Sequence, residues 1–380
     1  MDKKLPYYCS QKFTFLTVDV DKRTTKSCCD VPEVKIDLTW LKNNPGNLFN
    51  SETYVNERKD MLEGKKLESC RHCWVNEESG IPSRREIAKT TEITHQNLTN
   101  DPNLVNLDLG HECNMSCVYC NTHNSTAWQR EVKHHGKYSD NQQRFEIQPM
   151  DVALSKFSLK EKQQLDSSIT ILNEVKKLKN LDSLEISGGE PFLYNNLISL
   201  CNSIESKKIS IITGLGVKPK RFQRMLDQLP KNIIIVISGE SLGKLYEFVR
   251  YGNSYHTFLE NFKTIKKMGF DYCFSSAIGN LTIHGYSEFR KMYETENDRM
   301  FFISSPNYLT IDLIDDESRK RLLDQDFGLV NDEIKTALNN TREIEKDRLT
   351  LCKDFVSEIV VRRNLSLDIF PKSFIKYLTS

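Results

Sequence analysis

The chain has 380 residues, of which 38% are hydrophobic and 28% are charged, so a packed core is expected and wholesale disorder is excluded. Its net charge of +1 gives no electrostatic reason to expect binding to nucleic acid or to an anionic membrane. No apolar run approaches the roughly 20 residues of a membrane helix, and the first residues lack the apolar core of a signal peptide. These features predict a cytoplasmic protein, in which clustered cysteines favour metal or cluster ligation over disulfides.

The first region, residues 1–85, is rich in cysteine and poor in apolar side chains. Its cysteines are Cys9, Cys28, Cys29, Cys70 and Cys73. Its predicted elements are a strand at Phe13–Val20 and a helix at Glu52–Glu63, which Gly64 ends. A module with so small a core needs a metal or a cluster to hold it together. The same cysteines also fit a structural zinc site, or buried apolar residues that bind nothing.

A polar linker is predicted at residues 86–103, and from Leu104 strands alternate with helices. The predicted strands are Leu104–Leu109, Ser183–Ser187, Ile209–Thr213, Ile233–Ser238, Tyr272–Ala277 and Tyr308–Leu313. The predicted helices are Gln164–Lys177, Asn196–Ser206, Lys220–Leu229, Ser241–Arg250, Tyr255–Met268 and Tyr286–Thr295. This alternation predicts an α/β fold with a parallel sheet, arranged over residues 104–315 as a partial (β/α)6 barrel of the TIM type. Functional groups are then expected at the C-terminal ends of the strands.

Two further segments lie outside this alternation. About 60 residues separate Cys120 from the second predicted strand, and their polar, basic and aromatic composition fits either an active-site lid or an ordered helical insertion. Residues 316–380 are predicted to form a helical C-terminal extension, to which the sequence assigns no role.

Three cysteines follow the first strand of the barrel region at the spacing CxxxCxxC. They are Cys113, Cys117 and Cys120. Cysteine thiolates are the ligands of iron–sulfur clusters, and three of them can hold three irons of one cubane. The fourth iron is then left open to bind and reduce another molecule, whereas a closed four-cysteine site only passes electrons.

A second motif, Gly188-Gly189-Glu190-Pro191, follows the second predicted strand. Two glycines let the backbone approach a ligand closely, and the carboxylate beside them can bind an ammonium group. Taken alone, the same four residues also make a common turn.

Two softer signals come later in the chain. Ser238 ends the fourth predicted strand, and Arg250 lies at the end of the helix that follows. An arginine suits a carboxylate because its guanidinium fork can bind both oxygens. The alternatives are a strand-end cap for Ser238 and a helix-dipole contact for Arg250.

The cysteine spacing, the aromatic Tyr119 before the last cysteine, and the Gly-Gly-Glu-Pro motif one unit later together resemble the radical S-adenosylmethionine (radical SAM) superfamily. The resemblance implies that Cys113, Cys117 and Cys120 hold a 4Fe-4S cluster whose open iron chelates S-adenosylmethionine (SAM). It also implies that SAM is cleaved to a 5′-deoxyadenosyl radical, which abstracts a hydrogen atom from a substrate.

The same resemblance assigns the residues that bind SAM. The Gly188–Pro191 motif would hold the methionyl amino group, and Ser238 and Arg250 would contact the ribose and the carboxylate. Tyr119 would pack beside the cluster and the adenine; its alternative is a core aromatic. The sequence identifies no catalytic side chain beyond this cofactor site.

The N-terminal region resembles the twitch and SPASM modules that bind auxiliary iron–sulfur clusters in that superfamily. The resemblance implies the ligands Cys9, Cys28, Cys70 and Cys73, with Cys29 as the substitute for Cys28. These modules usually follow the radical SAM core, whereas this one precedes it.

The expected function is therefore that of a radical SAM oxidoreductase supplied with electrons by a donor such as flavodoxin or ferredoxin. A peptide or protein side chain is the hypothesised substrate, because twitch and SPASM relatives often modify peptides. The alternatives are a small metabolite or a sugar as substrate, or a non-catalytic iron–sulfur or zinc protein.

Overall fold

The computed structural model describes residues 5–78, 83–87, 90–92, 94–146, 159–340 and 345–380. The strands are β1 Phe15–Asp19, β2 Thr24–Lys26, β3 Val34–Lys35, β4 Leu104–Asp108, β5 Ser183–Ser187, β6 Ile209–Thr213, β7 Ile233–Ser238, β8 Asp271–Ile278 and β9 Arg299–Phe302.

The helices are α1 Gln11–Thr14, α2 Leu38–Asn43, α3 Glu52–Leu62, α4 Arg71–Glu78, α5 Arg84–Ile87, α6 Thr126–His135, α7 Leu159–Val175, α8 Leu197–Ser203, α9 Pro219–Leu226, α10 Gly243–Val249, α11 Tyr255–Met268, α12 Tyr286–Tyr293, α13 Asp316–Leu323, α14 Asn331–Asn339, α15 Lys346–Arg363 and α16 Lys372–Thr379. The predicted α/β class, with mostly parallel strands and a helical C-terminal extension, is confirmed.

The chain divides into two compact units. The first comprises Met1–Gly110, Lys156–Gly188 and Asn196–Ile211, and the second comprises His111–Ser155, Gly189–Asn195 and Ile212–Ser380.

In the first unit the strands lie in the order β3-β2-β1-β4-β5-β6. β1 runs parallel to β4, with Phe15 level with Leu104, and β4 runs parallel to β5. Alternate residues on these strands are buried, as on β4, where Val105 and Leu107 are buried and Asn106 is only half-buried. The sequence predicts a strand around β1, but not that this strand from the N-terminal region pairs with the first strand of the predicted barrel.

In the second unit β7, β8 and β9 are parallel neighbours. β7 begins with the run Ile233–Ile237, which is mostly buried, as expected of a strand covered on both faces. α11 presents Phe258, Phe262 and Ile265 to the core at helical spacing and ends at Gly269, which adopts the left-handed conformation of a helix C-cap.

One predicted strand is wrong. Tyr308–Leu313 is not a strand: residues Asn307–Leu309 form a 3₁₀ turn, and the strand beside β8 is Arg299–Phe302. The alternating apolar residues that predicted a strand are buried, but as an irregular segment. Arg348 of α15 fixes this segment by donating to the Asn307 carbonyl at 2.9 Å and to the Asp312 carboxylate at 3.0 Å.

The long segment between Cys120 and β5 contains α6 and α7, where the sequence predicted a lid or a helical insertion. Residues 147–158 of that segment lie outside the described residues. Over the ranges that the structure describes, no helix combines the length and apolar character needed to cross a membrane.

Candidate functional site

The cysteine loop, Cys113–Cys120, lies in the second unit, and its three cysteines pack around Met115 together with Tyr119. Its backbone is tied to the segment after α10, because Ser116 N–H donates to the Tyr251 carbonyl at 2.7 Å and Val118 N–H donates to the Val249 carbonyl at 2.9 Å. These bonds fix the backbone that carries the thiols.

Side chains from α6 and the segment after it donate hydrogen bonds to four carbonyls of the loop. Trp128 Nε1 donates to the Cys117 carbonyl at 2.9 Å, and the buried Arg144 guanidinium donates to the Val118 and Cys120 carbonyls, each at 2.6 Å. The Thr126 hydroxyl donates to the Cys113 carbonyl at 2.8 Å. The loop is thus held through its backbone, which leaves the sulfurs available as ligands.

The three thiols lie in surroundings that favour the neutral form. Burial raises the pKa of Cys113 and of Cys120, and it raises the pKa of Cys117 to about 12. A metal site needs thiolates, so loading requires cationic iron to offset the desolvated negative charge and to release the protons. The Met115 N–H already donates to the Cys113 sulfur at 3.4 Å, an interaction that favours a thiolate.

Among the described residues, one group of three ligand atoms lies within 4.8 Å of one another, and it belongs to Cys28, Cys29 and Asp30 of the N-terminal region. Such a group could hold a metal ion.

Gly189 marks the closest approach of the Gly-Gly-Glu-Pro motif to the cysteine loop. A Cβ atom at Gly189 would lie 2.4 Å from the Glu112 carbonyl oxygen and 2.9 Å from Cys113 Cβ. Glu190 N–H donates to the same carbonyl at 2.9 Å. Gly188 has a φ of +136°, and a Cβ there would lie 2.9 Å from the Gly110 carbonyl oxygen. Only glycine fits at these two positions.

Glu190 is fully buried, and its carboxylate oxygens accept hydrogen bonds from neighbouring groups. The Thr213 hydroxyl lies 2.8 Å from Oε1 and 2.9 Å from Oε2, and Gly214 N–H donates to Oε2 at 3.0 Å. Burial raises the pKa of Glu190, and these donors oppose the rise. These donors orient the carboxylate toward the C-terminal end of β6. They also favour its ionised form, which can accept hydrogen bonds from an ammonium ligand. Pro191 follows as the first residue of a 3₁₀ turn.

Arg250 is paired with a residue that the sequence did not single out. Its Nε and Nη2 donate to the two carboxylate oxygens of Glu240 at 3.0 and 2.7 Å, and both side chains are buried. Burial lowers the pKa of Arg250, but the Glu240 carboxylate outweighs it and raises the pKa. The Tyr119 hydroxyl donates to Glu240 at 3.3 Å, and the guanidinium lies 5.6 Å from the Tyr119 ring centre.

This geometry changes the expected role of Arg250. The Nε–Nη2 edge of its fork is occupied by Glu240, so Nη1 is the part left to meet a ligand carboxylate. The sequence signal for this pair is weak. Glu240 lies ten positions before Arg250, and Arg250 lies at the end of the helix that follows.

Met115 occupies the space beside two glycines that follow β6. A Cβ at Gly214 would lie 2.5 Å from Met115 Cε, and one at Gly216 would lie 3.1 Å from Met115 Sδ. Met115 therefore fills the space that a side chain after Thr213 would need. Ser238 ends β7, half-buried and level with Ser275 of β8.

The N-terminal cysteine site lies in the first unit. A pocket of about 400 Å³, solvent at its mouth included, is lined by Cys9, Cys28, Cys70 and Cys73. These are the four residues that the twitch resemblance implies. Cys29, the substitute ligand, is exposed and does not line the pocket.

The electrostatics of this pocket differ from those of the cysteine loop. A hydrogen bond from Cys29 lowers the pKa of Cys28 to about 6, whereas burial raises the pKa of Cys9 and raises that of Cys70 to about 11. Arg84 lines the pocket and pairs with Asp30 at 2.8 Å, so its positive charge lies near the thiols.

Residues 107–295 match the model of the Radical SAM superfamily. No curated protein matches the chain. Among solved structures, anSMEcpe with bound AdoMet is 14% identical with a TM-score of 0.35, covering 68% of this chain and 66% of that one. SuiB of Streptococcus suis bound to S-adenosylmethionine is 14% identical with a TM-score of 0.36, covering 90% and 73%. TYW1 with a bound lysine-pyruvate adduct is 12% identical with a TM-score of 0.30, covering 65% and 76%.

The chain thus spans 66% of the first of these structures, and 55–57% of three further anSMEcpe structures. At such low identity and TM-score, these likenesses identify no substrate.

Proposed function

We propose that the protein is a radical SAM enzyme through its domain at residues 107–295, and that Cys113, Cys117 and Cys120 hold its 4Fe-4S cluster. The observation that carries this proposal is the grouping of three cysteines, two buried and one half-buried, in one loop whose backbone is hydrogen-bonded to neighbouring segments, directly beside Gly189. When bound, the cluster and SAM supply a one-electron cleavage that gives methionine and a 5′-deoxyadenosyl radical able to abstract hydrogen from a substrate.

The chain's own groups bind and orient SAM in this proposal. Glu190, aimed by Thr213 and Gly214, accepts hydrogen bonds from the methionyl ammonium group. Gly188 and Gly189 let the backbone approach the ligand without a Cβ in the way. Ser238, at the end of β7, binds the ribose.

Arg250 binds the SAM carboxylate through the part of its guanidinium that Glu240 leaves uncovered. Glu240 acts as a positioning residue, because its two oxygens hold the fork in one orientation. Tyr119 packs against this pair and, with Met115, keeps water away from the cofactor.

A second, auxiliary iron–sulfur cluster on Cys9, Cys28, Cys70 and Cys73 is the other part of the proposal. The support is their convergence on one pocket, although they come from three separate segments, which carry Cys9, Cys28, and the pair Cys70 and Cys73. Four cysteine ligands also suit a structural zinc ion, so metal analysis decides between the two. A cluster at this site could pass an electron to or from the substrate.

The substrate proposed is a peptide or protein side chain, on the strength of the twitch-like module, and a small metabolite or sugar is the alternative. Flavodoxin or ferredoxin is the proposed class of electron donor. A non-catalytic iron–sulfur protein would have no use for the buried Glu190 and Arg250.

The experiment counts iron and sulfide in protein reconstituted without oxygen and measures 5′-deoxyadenosine formed from SAM and dithionite. We expect about eight irons per chain in the wild type and about four in either Cys113→Ala/Cys117→Ala/Cys120→Ala or Cys70→Ala/Cys73→Ala. SAM cleavage is lost in the triple variant alone. Cys201→Ala, which removes a buried thiol outside both sites, is the control and keeps both clusters.

Each alternative has its own outcome. Zinc in place of iron at the N-terminal cysteine site would mean that this metal only stabilises the fold. The proposed auxiliary cluster would then be refuted, and the proposed cleavage of SAM would stand. Absence of iron at the cysteine loop, with no 5′-deoxyadenosine, would refute the proposed chemistry.

A further inference from the structure

We infer that helix α15 of the C-terminal extension is part of the cofactor site, because two of its side chains support the residues that are hydrogen-bonded to the cysteine loop. These side chains are Phe355 and Arg363, and both act as positioning residues. The helix spans Lys346–Arg363 and therefore lies beyond residues 107–295, which match the family. The inference rests on the proposed function, since it assumes that the cysteine loop holds a cluster.

Arg363, the last residue of α15, is fixed against α6. It is only 6% exposed, and its Nε and Nη2 donate to the two carboxylate oxygens of Glu131 at 2.8 and 3.1 Å. Its guanidinium also lies 4.5 Å from the ring centre of Trp128 and 4.5 Å from that of Tyr251. A planar fork that is bound along one edge and packed on two rings has little freedom to move. The position of Arg363 therefore helps to set the positions of both aromatic residues.

Both aromatic residues hold the backbone of the cysteine loop. Trp128 Nε1 donates to the Cys117 carbonyl at 2.9 Å. The Tyr251 carbonyl accepts from Ser116 N–H at 2.7 Å. Arg363 thus contacts the two residues that bind neighbouring positions of the loop, and one of those positions is a proposed cluster ligand.

Phe355 supports the end of the loop near Cys120. Its ring is fully buried and lies 5.1 Å from the guanidinium carbon of Arg144. Arg144 donates to the Val118 and Cys120 carbonyls, each at 2.6 Å. Because Phe355 and Arg363 are eight positions apart, slightly more than two helical turns, they lie on the same side of α15.

The two contacts of α15 therefore serve the part of the loop that runs from Ser116 to Cys120. The Cys113 carbonyl is bound instead by the hydroxyl of Thr126, which lies on α6. Loss of either α15 contact should loosen Cys117 and Cys120 more than Cys113, and a cluster that depends on all three thiolates should then be released more easily.

The test measures how firmly the full-length protein holds iron at the cysteine loop. All variants are made in the Cys70→Ala/Cys73→Ala background, so that iron is expected at the loop alone. The variants are Arg363→Met, Arg363→Lys and Phe355→Leu. Two measurements are made on each reconstituted protein: the rate at which a ferrous-iron chelator removes the iron, and the electron paramagnetic resonance spectrum after reduction with dithionite.

The matched control is Arg290→Met in the same background. Arg290 is another buried arginine of the second unit, only 2% exposed, and it pairs with Asp298 at 2.5 Å and with Glu294 rather than with residues that bind the loop. This change should lower the denaturant midpoint of unfolding, because it leaves Asp298 without its partner. It should leave the rate of iron removal and the spectrum as they are in the background protein.

We expect iron to be removed about tenfold faster from Arg363→Met than from the background protein, since losing a residue that orients metal ligands has effects of that order. Arg363→Lys should restore little, because lysine keeps the charge but has no planar fork. Phe355→Leu should accelerate removal less than Arg363→Met does. The spectrum should change in Arg363→Met, because it reports the arrangement of the ligands around the cluster.

Rates and spectra that match the background in all three variants would overturn the inference. Equal acceleration in Arg290→Met and Arg363→Met would also overturn it, since iron loss would then follow overall stability. If Arg363→Met does not fold, Arg363→Lys and Phe355→Leu carry the same comparison. Failure of the proposed function looks different, because the background protein itself would then hold no iron at the cysteine loop.

Discussion

The two cysteine sites differ in how far apart their ligands lie along the chain. In the cysteine loop the three thiols fall within Cys113–Cys120, and hydrogen bonds to the loop backbone set their positions. In the N-terminal cysteine site the four thiols come from the turn before α1, the loop between β2 and β3, the 3₁₀ turn before α4, and α4 itself. One site is therefore local and the other depends on the packing of its unit.

The two sites should therefore fail in different ways. The cysteine loop should be damaged by changes that touch its backbone contacts. The N-terminal cysteine site should be sensitive to the identity of each ligand and to the packing that brings the ligands together.

Gly189→Ala should disable the cysteine loop and leave the N-terminal site loaded. The added Cβ would meet the Glu112 carbonyl oxygen at 2.4 Å, which forces the motif and the loop apart. We expect SAM cleavage to fall by about 100-fold or more, because displacements near 1 Å in an active site have effects of that order. Iron at the N-terminal cysteine site should remain.

The control for this variant is Gly243→Ala. A Cβ there meets nothing within 4 Å, so only the strain of its φ of +52° is added and SAM cleavage should persist. Wild-type cleavage in Gly189→Ala would contradict the assigned role of the glycine.

Cys28→Ser and Cys29→Ser form a matched pair for the dispersed site. Cys28 lines the pocket and Cys29 does not, so Cys28→Ser should lose the auxiliary iron and Cys29→Ser should keep it. Iron and sulfide analysis measures the outcome. Retention of iron by Cys28→Ser together with loss from Cys29→Ser would make Cys29 the fourth ligand.

Glu240→Ala should destabilise the second unit, because it leaves the Arg250 guanidinium buried without its partner. Removing one member of a buried ion pair costs about 3–5 kcal/mol. Glu240→Gln keeps an acceptor oxygen and should cost less while weakening SAM binding. Denaturant unfolding and SAM titration measure the two effects; unfolding at the wild-type midpoint in Glu240→Ala would show that the pair contributes nothing.

The smallest effect concerns thiol reactivity in the iron-free protein. The thiolate is the reactive form and predominates above the pKa, so alkylation of Cys28 should be fast at pH 7 and should fall as pH drops below about 6. Cys117, with its pKa raised to about 12 by burial, should stay protected throughout. Mass spectrometry after iodoacetamide treatment reads out both sites.

The variant Cys29→Ala tests whether Cys29 is what lowers the pKa of Cys28. It removes the hydrogen bond that lowers the pKa of Cys28, so labelling of Cys28 at pH 7 should slow by about tenfold. Equal labelling in wild type and Cys29→Ala would mean that another group activates Cys28.

Much of the fold was accessible from the sequence because its strands are short apolar runs bounded by turns. β4 to β8 lie within a residue of their predicted ends. β9 was missed because Arg299–Phe302 has only four residues, and its sequence Arg-Met-Phe-Phe does not alternate between polar and apolar side chains. The pairing of β1 with β4 could not be predicted, since it joins strands about 90 residues apart and no local pattern records it.

The sequence by itself determined the features whose parts are neighbours in the chain: the CxxxCxxC spacing, the paired glycines before Glu190, and the alternation of strands and helices. Their geometry follows from a few consecutive dihedral angles, so a short pattern is sufficient. Only the tertiary structure decided that Arg250 is held by Glu240, that Met115 fills the space beside Gly214, and that cysteines from three distant segments line one pocket. Those contacts depend on which surfaces pack together, and packing is a property of the folded chain as a whole.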